Sequence, residues 1–384
     1  MKHFNKRLVS ISKLMSFLLA IIFFPIYIFN FFSVLKQKPI FEINVKKILI
    51  VDLHLIGDIV LLTPVLKELK NIYPNSSVTL LSGEWAKNIL LNNPDLVDDY
   101  DIYNAPWVVK KGKKNSYKGL YNVIKLIRSK EFDIAIDARG DFRNILILKL
   151  SKIGRLISFP FSGGGWLLTD KIIDSRLLEH IIHHHYRIVQ YLGSNIHFSD
   201  FKPELWLSTE EKKNTHIKKK YIAVHFGASS PIRLLNFEKS KEVVNSLLSL
   251  CDNDLILFYS PEIKVLIDSI VKLPEVVDSN RVKVFRGSLR EFIVAVSSAS
   301  LYVGMDSAGS HIATALNVPT ITIFGPAIPE TCKPIGDNVE IISLKEKLYC
   351  RPCNQKVCNN LTYQKCYKDL NLFKDIECSF NKLI

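Results

Sequence analysis

The chain has 384 residues, of which 48% are hydrophobic and 23% are charged. That length allows two domains and an appendage, and that composition excludes an intrinsically disordered chain. The net charge is +14, but the sequence contains no recognisable nucleic-acid-binding motif. Nucleic acid is therefore excluded as a partner.

The first 45 residues form a hydrophobic, basic segment. The stretch from Leu14 to Leu35 is almost wholly apolar and aromatic, and basic residues flank it on both sides. Its length suffices to cross a bilayer, which takes about 20 apolar residues, and the flanking charges suit anionic lipid headgroups. Residues 1–45 are therefore predicted to associate with a membrane surface. Because both flanks are basic, a spanning helix and an interfacial segment bent at Pro25 both remain open.

Residues 46–205 alternate apolar strands with helical patterns. The run from Lys47 to Leu53 is nearly continuous Ile, Leu and Val, which is typical of a strand buried in a parallel sheet. A helix is predicted over 59–72, followed by strands at 77–81, 98–103 and 132–137. This alternation predicts a doubly wound parallel sheet.

Residues 206–345 repeat this alternation, with strands predicted at 221–226, 255–259, 282–285, 301–304 and 320–324. The predicted fold class is therefore α/β, with two Rossmann-like, doubly wound domains. Beyond Glu340 the chain is predicted to be irregular, and residues 346–384 form a separate cysteine-rich tail.

Two strand-to-helix turns, one in each half, combine glycine with polar residues. They are Ile56-Gly-Asp58 and Asp306-Ser-Ala-Gly-Ser-His311. Such turns direct backbone N–H groups and a helix N-terminus at one spot, which suits a phosphate or a reacting oxygen. Two of them predict two nucleotide-type domains facing a cleft, the layout of an enzyme that joins a nucleotide-activated donor to an acceptor.

Asp58 is the predicted catalytic residue. Placed at the carboxyl edge of a parallel sheet, its carboxylate can accept a proton from an acceptor hydroxyl. The alternative is an ordinary aspartate that caps the following helix. His54 is a second polar candidate at the same turn, or simply a loop residue.

A larger set of residues in the second half is predicted to bind the donor. Arg233 can neutralise two phosphate oxygens, Glu262 can bind ribose hydroxyls, and the helix after Ser307 can bind a diphosphate. The alternatives are helix caps and, for Glu262, a solvated acid. The predicted donor-binding residues are Gly227, Ser229, Arg233, Glu262, Asp306, Ser307, Ala308, Gly309 and His311.

Arg139 and Arg143 follow a predicted strand end and are predicted to bind an anionic acceptor, with a solvated loop as the alternative. No Asp-x-Asp motif is placed to hold a divalent ion on a donor diphosphate, so a metal-independent reaction without a cofactor is expected. The run His183 to His185 is not a metal site, because adjacent helical residues point in different directions.

Seven cysteines are present, and an odd number in a chain expected in the cytoplasm argues against a disulfide framework. Four of them lie within 17 residues and are candidate ligands of one structural zinc. The alternative is a set of free thiols in the tail. These four are Cys350, Cys353, Cys358 and Cys366.

Over about residues 46–345 the chain resembles glycosyltransferase family 9, the bacterial heptosyltransferase family. The motifs that carry the resemblance are Ile56-Gly-Asp58 with Thr63-Pro64, Asp137 to Arg143, Gly227-Ala-Ser229 with Arg233, Gly287-Ser-Leu289, and Asp306 to His311 with Phe324-Gly-Pro326. The resemblance implies a GT-B architecture and inverting transfer of a sugar, typically heptose from an ADP-activated donor, onto lipopolysaccharide core. It implies that Asp58 is the general base, that Arg233 contacts the donor phosphates and that Glu262 contacts the ribose.

The expected function is therefore transfer of heptose from ADP-heptose to a lipopolysaccharide or related lipid-linked envelope glycan, at the cytoplasmic face of the bacterial inner membrane. One alternative is a catalytically silent, membrane-anchored subunit that binds a sugar nucleotide for an envelope assembly. Another is an epimerase of the same GT-B build. The presence of both Asp58 and the diphosphate-binding turn argues against the silent subunit.

Overall fold

The structure is a computed structural model, and it describes residues 38–93, 95–108, 118–173, 179–213, 220–351, 353 and 357–384. The chain divides into two compact units at the Phe201–Lys202 bond, here called the N-terminal unit and the C-terminal unit. Most of the predicted membrane segment lies outside the described residues. Within the described ranges, none of the helices has the length and apolar character needed to span a membrane.

The N-terminal unit is built on one parallel sheet. Its strands are β1 (Lys47–Asp52), β2 (Ser77–Ser82), β3 (Asp99–Ile102), β4 (Ile134–Asp137), β5 (Arg155–Ser158) and β6 (Asp170–Lys171). Its helices are α1 (Ile56–Ile72), α2 (Trp85–Ile89), α3 (Lys118–Lys130), α4 (Phe142–Leu150) and α5 (Ile181–Tyr191). The strand order is β3-β2-β1-β4-β5-β6, so the order reverses direction between β1 and β4.

The C-terminal unit has a second parallel sheet. Its strands are β7 (Tyr221–His225), β8 (Asp254–Phe258), β9 (Val282–Phe285), β10 (Leu301–Met305), β11 (Thr320–Phe324) and β12 (Val339–Ser343). Its helices are α6 (Thr209–Lys213), α7 (Phe237–Leu250), α8 (Lys264–Ile270), α9 (Pro274–Ser279), α10 (Leu289–Ser297), α11 (Ala308–Ala315), α12 (Pro329–Cys332), α13 (Lys365–Lys368) and α14 (Leu372–Leu383). The strand order is β12-β11-β10-β7-β8-β9, with its reversal between β7 and β10.

The apolar strand runs form these sheets because both faces of each sheet are covered. The β1 side chains from Ile48 to Val51 are all buried, as the near-continuous Ile, Leu and Val run predicts. The prediction of two doubly wound parallel sheets is confirmed. Helix α1 begins at Ile56, three residues before the predicted start, so Asp58 lies within its first turn.

The N-terminal unit includes residues ahead of the predicted boundary at residue 46. Ile40 and Val45 are buried, and the Arg155 guanidinium donates a hydrogen bond of 2.7 Å to the Lys38 carbonyl. The chain from Lys38 onward therefore packs on the sheet.

The prediction that the chain is irregular beyond Glu340 is wrong. Strand β12 continues the second sheet, and helix α14 packs against α7 and β12. Leu372 and Ile376 of α14 are buried in the core of the C-terminal unit, with Phe380 partly buried beside them. These residues recur at four-residue intervals, which is a helical signal that the polar residues between them, among them Lys374, Asp375 and Glu377, obscure.

Candidate functional site

The polar residues singled out in the sequence collect at the carboxyl edges of the two sheets. In doubly wound sheets, ligands bind outside the carboxyl ends of the strands where the strand order reverses. In the N-terminal unit this point lies between β1, which ends at Asp52, and β4, which ends at Asp137. In the C-terminal unit it lies between β7, which ends at His225, and β10, which ends at Met305. Each unit therefore has its own candidate site.

Asp58 forms a partly buried ion pair with Arg139. Its Oδ1 accepts a hydrogen bond of 2.7 Å from the Arg139 guanidinium, and its Oδ2 accepts one of 3.0 Å from the Leu55 N–H. Burial alone raises the pKa of Asp58, but the Arg139 charge and the Leu55 hydrogen bond outweigh it and hold this pKa well below its usual range. Asp58 is therefore ionised at neutral pH, and its role as a general base stays a prediction.

Two further carboxyl groups, absent from the predicted site, lie at the same sheet edge. Burial raises the pKa of Asp52 to about 7, with the Arg139 charge opposing and the Asp58 charge adding to the shift. Burial likewise raises the pKa of Asp137 to about 6, although Asn144 and Ser158 bind its carboxylate. The sequence signal for both was available, because each is an aspartate that ends an apolar strand.

His54 lies over this cluster as a neutral group. Its backbone N–H donates a 2.9 Å hydrogen bond to Asp52 Oδ1. Burial, and then the positive charge of Arg139, lowers the pKa of His54 to about 3. The imidazole is therefore uncharged at neutral pH, and it can take part only in hydrogen bonding there.

The two arginines predicted to bind the acceptor have different environments. The Arg139 side chain is 5% exposed, and its guanidinium is paired with Asp58. The Arg143 side chain is 48% exposed, although its guanidinium also binds Asp141 and lies 4.8 Å from the centre of the Trp107 ring. Arg143 is therefore the better placed of the two to meet an anionic acceptor. The structure gives Arg139 a role in holding Asp58.

In the C-terminal unit, Arg233 and Asp306 form an ion pair. The Arg233 guanidinium lies 3.2 Å from Asp306 Oδ2 and also donates to the Asp306 carbonyl at 3.3 Å. Both residues are buried. The Asp306 carboxylate thus faces a cation and can fix its orientation, whereas direct contact with an anionic donor would be repulsive.

Helix α11 begins directly after this pair, with Ser307 as its N-cap residue. Its first residues, Ala308 and Gly309, carry N–H groups that lack partners within the helix, as at any helix N-terminus. Ser310 donates its hydroxyl to the Met305 carbonyl at 2.8 Å, so that hydroxyl stabilises the turn. His311 is buried in the same first turn.

Gly304 and Gly309 are glycines because Tyr302 fills the space above them. A Cβ atom on Gly309 would lie 2.1 Å from the Tyr302 hydroxyl oxygen, and one on Gly304 would lie 2.7 Å from it. Gly309 is one of the predicted donor-binding residues. In the structure, the space beside Gly304 and Gly309 is filled by the buried side chain of Tyr302.

His225 is a candidate donor-site residue that the sequence prediction missed. A Cβ atom on Gly227 would lie 2.4 Å from His225 Nε2 and 2.8 Å from Ser260 Oγ, so the three residues are in close contact. Both His225 Nδ1 and Ser260 Oγ are buried without a hydrogen-bond partner among the described residues. Unpaired buried polar atoms typically cost about 1–3 kcal/mol each, so they indicate a place where a ligand can bind.

Two further predicted donor residues, Ser229 and Glu262, follow the ends of the neighbouring strands β7 and β8. Glu262 is exposed in the turn that follows β8, and its charge acts on His225, whose pKa burial nevertheless lowers to about 4. Ser229 is exposed in the turn that follows Gly227. The structure thus brings a neutral imidazole, an exposed carboxylate and an exposed hydroxyl to the carboxyl edge of the second sheet.

The four cysteines predicted to bind zinc line one cavity of about 230 Å³, together with Arg351 and Gln364. All are free thiols, and the Cys350 and Cys358 sulfurs accept hydrogen bonds from Asn360 and from the Gln364 N–H. Across the described part of the chain, no three His, Cys, Asp or Glu side chains are arranged to hold a metal ion. The zinc site stays a prediction.

Comparison with known proteins shows which protein family the chain resembles. The model of glycosyltransferase family 9 (heptosyltransferase) matches residues 120–364. Lipopolysaccharide heptosyltransferase 3 of Escherichia coli K12 is 22% identical over 296 residues, which cover 74% of this chain and 83% of the relative.

Two solved structures are also similar. E. coli ADP-heptose lipopolysaccharide heptosyltransferase II has a TM-score of 0.69 at 17% identity, covering 88% of this chain and 98% of that chain. E. coli heptosyltransferase WaaC, solved with ADP-2-deoxy-2-fluoro heptose, has a TM-score of 0.60 at 16% identity, covering 77% and 92%.

The fold and these similarities define a glycosyltransferase of the GT-B type. The family model spans well over half of the chain, and the resemblance seen in the motifs is confirmed. This protein belongs to glycosyltransferase family 9, the heptosyltransferase family.

Proposed function

We propose that this protein transfers heptose from ADP-heptose to a lipid-linked lipopolysaccharide core acceptor, with inversion at the anomeric carbon and without a divalent metal. The observation that carries the proposal is the placement of Arg233 and the N-terminus of α11 at the carboxyl edge of neighbouring strands. A guanidinium and free helix N–H groups together bind a diphosphate. The ADP-heptose analogue bound by the E. coli relative WaaC supports the choice of donor.

In the proposed reaction an acceptor hydroxyl attacks the anomeric carbon of the heptose from the face opposite to ADP. The bond between that carbon and the β-phosphate oxygen breaks, and ADP leaves with the electron pair. Asp58 takes the proton of the attacking hydroxyl. Arg233 and the α11 N–H groups stabilise the negative charge that develops on ADP, which is the contribution a divalent metal makes in other transferases.

The first test is the reaction itself. Full-length protein, ADP-heptose and a lipopolysaccharide core that lacks heptose should yield ADP and an acceptor extended by one heptose. Nuclear magnetic resonance of the product should show the anomeric configuration opposite to that of the donor. EDTA should leave the rate unchanged, because the protein supplies the positive charge. Binding of ADP-heptose without any transfer would instead identify the silent sugar-nucleotide-binding subunit, and a rate restored only by Mg²⁺ or Mn²⁺ would contradict metal independence.

We also propose that the N-terminal segment holds the enzyme at the cytoplasmic face of the inner membrane, where a lipid-linked acceptor is reached. The apolar run from Leu14 to Leu35 and its basic flanks support this placement. The full chain should pellet with membranes and resist high-salt washing, whereas a chain that begins at Lys38 should remain in solution. Starting at Lys38 keeps the packed residues Ile40 and Val45.

The shortened chain is informative only if it still folds, so its thermal unfolding and its transfer to a water-soluble acceptor fragment are measured in parallel. Release of the full chain by salt alone would show that electrostatics hold it without insertion. A shortened chain that still pellets with membranes would rule out the segment as the anchor.

A structural zinc is tested separately. If Cys350, Cys353, Cys358 and Cys366 hold it, full-length protein purified without chelator should contain about one zinc per chain. Cys353→Ser should lose that zinc and unfold at a lower temperature, because metal binding and folding are coupled. Cys378→Ser is the matched control, since Cys378 is exposed and lies outside the cavity. Metal-free protein with full activity would exclude the site.

A further inference from the structure

The C-terminal cysteine-rich segment makes direct contact with the loop that carries Arg233. Two of its side chains bind three successive carbonyl groups of this loop. Gln364 Nε2 donates to the Ile232 and Leu234 carbonyls, at 3.0 Å in each case. The Tyr367 hydroxyl donates to the Arg233 carbonyl at 2.8 Å.

The side chains that donate these hydrogen bonds are buried and held in place. Gln364 is 7% exposed and Tyr367 is 2% exposed. Burial raises the pKa of Tyr367 well above its usual value, so the hydroxyl keeps its proton and remains a donor. The Tyr367 ring packs over Gly325, where a Cβ atom would lie 2.1 Å from it. This ring therefore has little freedom to move away from the Arg233 loop.

Gln364, which donates two of these hydrogen bonds, has an unusual backbone conformation. Its φ angle is +51°, in the left-handed region that residues other than glycine seldom occupy. Its N–H donates to Cys358 Sγ at 3.3 Å, so the cysteine-lined cavity helps to hold that conformation. Gln364 thus has a strained backbone, and its side-chain amide donates to two carbonyl groups of the distant Arg233 loop. This combination indicates that Gln364 positions that loop.

We propose that Gln364 and Tyr367 are positioning residues of the donor site, which set the backbone of Arg233 so that its guanidinium can meet a nucleoside diphosphate. Asp306 fixes the guanidinium end of Arg233, and Tyr367 fixes its carbonyl end. The proposal rests on the proposed function, in which Arg233 binds the donor phosphates. It makes the C-terminal segment part of the donor site.

The test uses full-length protein with ADP as the probe, measured by calorimetric titration. Tyr367→Phe keeps the ring and removes the donor, and Gln364→Met keeps the length and the left-handed position while removing the amide. Each should weaken ADP binding about two- to tenfold, the range for one or two lost hydrogen bonds, and raise KM for ADP-heptose more than it lowers kcat. Tyr363→Phe is the matched control, because Tyr363 is 66% exposed, and it should leave ADP binding unchanged.

A double-mutant cycle shows whether the effect runs through Arg233. In the Arg233→Ala background, Tyr367→Phe should have no further effect on ADP binding. An equal loss in both backgrounds, or unchanged binding in both single variants, would overturn the positioning role. If Arg233→Ala itself leaves ADP binding unchanged, the proposed donor site fails instead, so the two failures are distinguishable.

Discussion

Asp58→Asn is expected to lower turnover by about 10²–10⁴-fold, the usual contribution of general-base catalysis and about 3–5 kcal/mol of barrier. Asparagine has nearly the same shape but cannot take the proton of the acceptor hydroxyl. The ADP dissociation constant should change little, because the proposed donor contacts lie in the C-terminal unit. Steady-state transfer assays alongside ADP titrations provide the measurement.

The ion pair with Arg139 requires a specific control, because Asp58→Asn also leaves a buried guanidinium without its counter-charge. Arg139→Gln, alone and combined with Asp58→Asn, separates the two effects. The double variant should regain the thermal stability that Asp58→Asn loses but should not regain turnover. Recovered turnover in the double variant would mean that Asp58 serves only to neutralise Arg139.

The pH profile of kcat/KM distinguishes Asp58 from its neighbour. The pKa of Asp58 is held below the ordinary aspartate value of 3.8, so the acid limb should lie below that pH wherever the enzyme stays folded. The Asp52 pKa is raised to about 7. An acid limb near pH 7 would therefore assign the proton acceptor to Asp52.

Arg233→Ala is expected to weaken ADP binding by about 1.5–3 kcal/mol, the worth of a hydrogen bond to a charged group. The loss should lie at the upper end of that range, because the Asp306 carboxylate would then face the diphosphate without its partner. Calorimetric titration of ADP gives the value. Arg233→Ala combined with Asp306→Asn should recover part of the affinity, since the repulsive charge is removed.

Lys382→Ala is a suitable charge control, because it removes one positive charge from an exposed ion pair in the same unit. It should leave ADP binding unchanged at physiological ionic strength. Unchanged ADP binding in Arg233→Ala would contradict the assignment of the diphosphate to the loop that carries Arg233. An equal loss in both variants would indicate only a general attraction between a basic protein and an anion.

The sheet edges could be predicted from the sequence because the signals are local. Long apolar runs mark buried parallel strands, and the polar, glycine-containing turn after each run marks its carboxyl end. Asp58 and Asp306 were therefore found at the correct edges. Once the alternation of strand and helix is recognised, general rules of chain connection reduce the possible strand orders to a handful.

The partners of those residues could not be predicted, because they are distant in the sequence. Arg139 lies 81 residues from Asp58, and Tyr367 lies 134 residues from Arg233. Neither local propensity nor spacing indicates such a pair. Tyr302 was also missed, since a tyrosine inside an apolar strand gives no sign that its hydroxyl packs against a glycine in the next helix.

Within the described residues, each sheet is completed by strands of its own unit. The apolar clusters divide in the same way, so each unit has its own hydrophobic core and is expected to unfold as a cooperative block of its own. We expect scanning calorimetry to resolve more than one transition, and we expect ADP, whose proposed contacts lie in the C-terminal unit, to raise the transition of that unit. Substitutions at Asp58 and at Arg233 consequently report on different blocks, and scanning calorimetry resolved into its component transitions is the appropriate comparison of their stabilities.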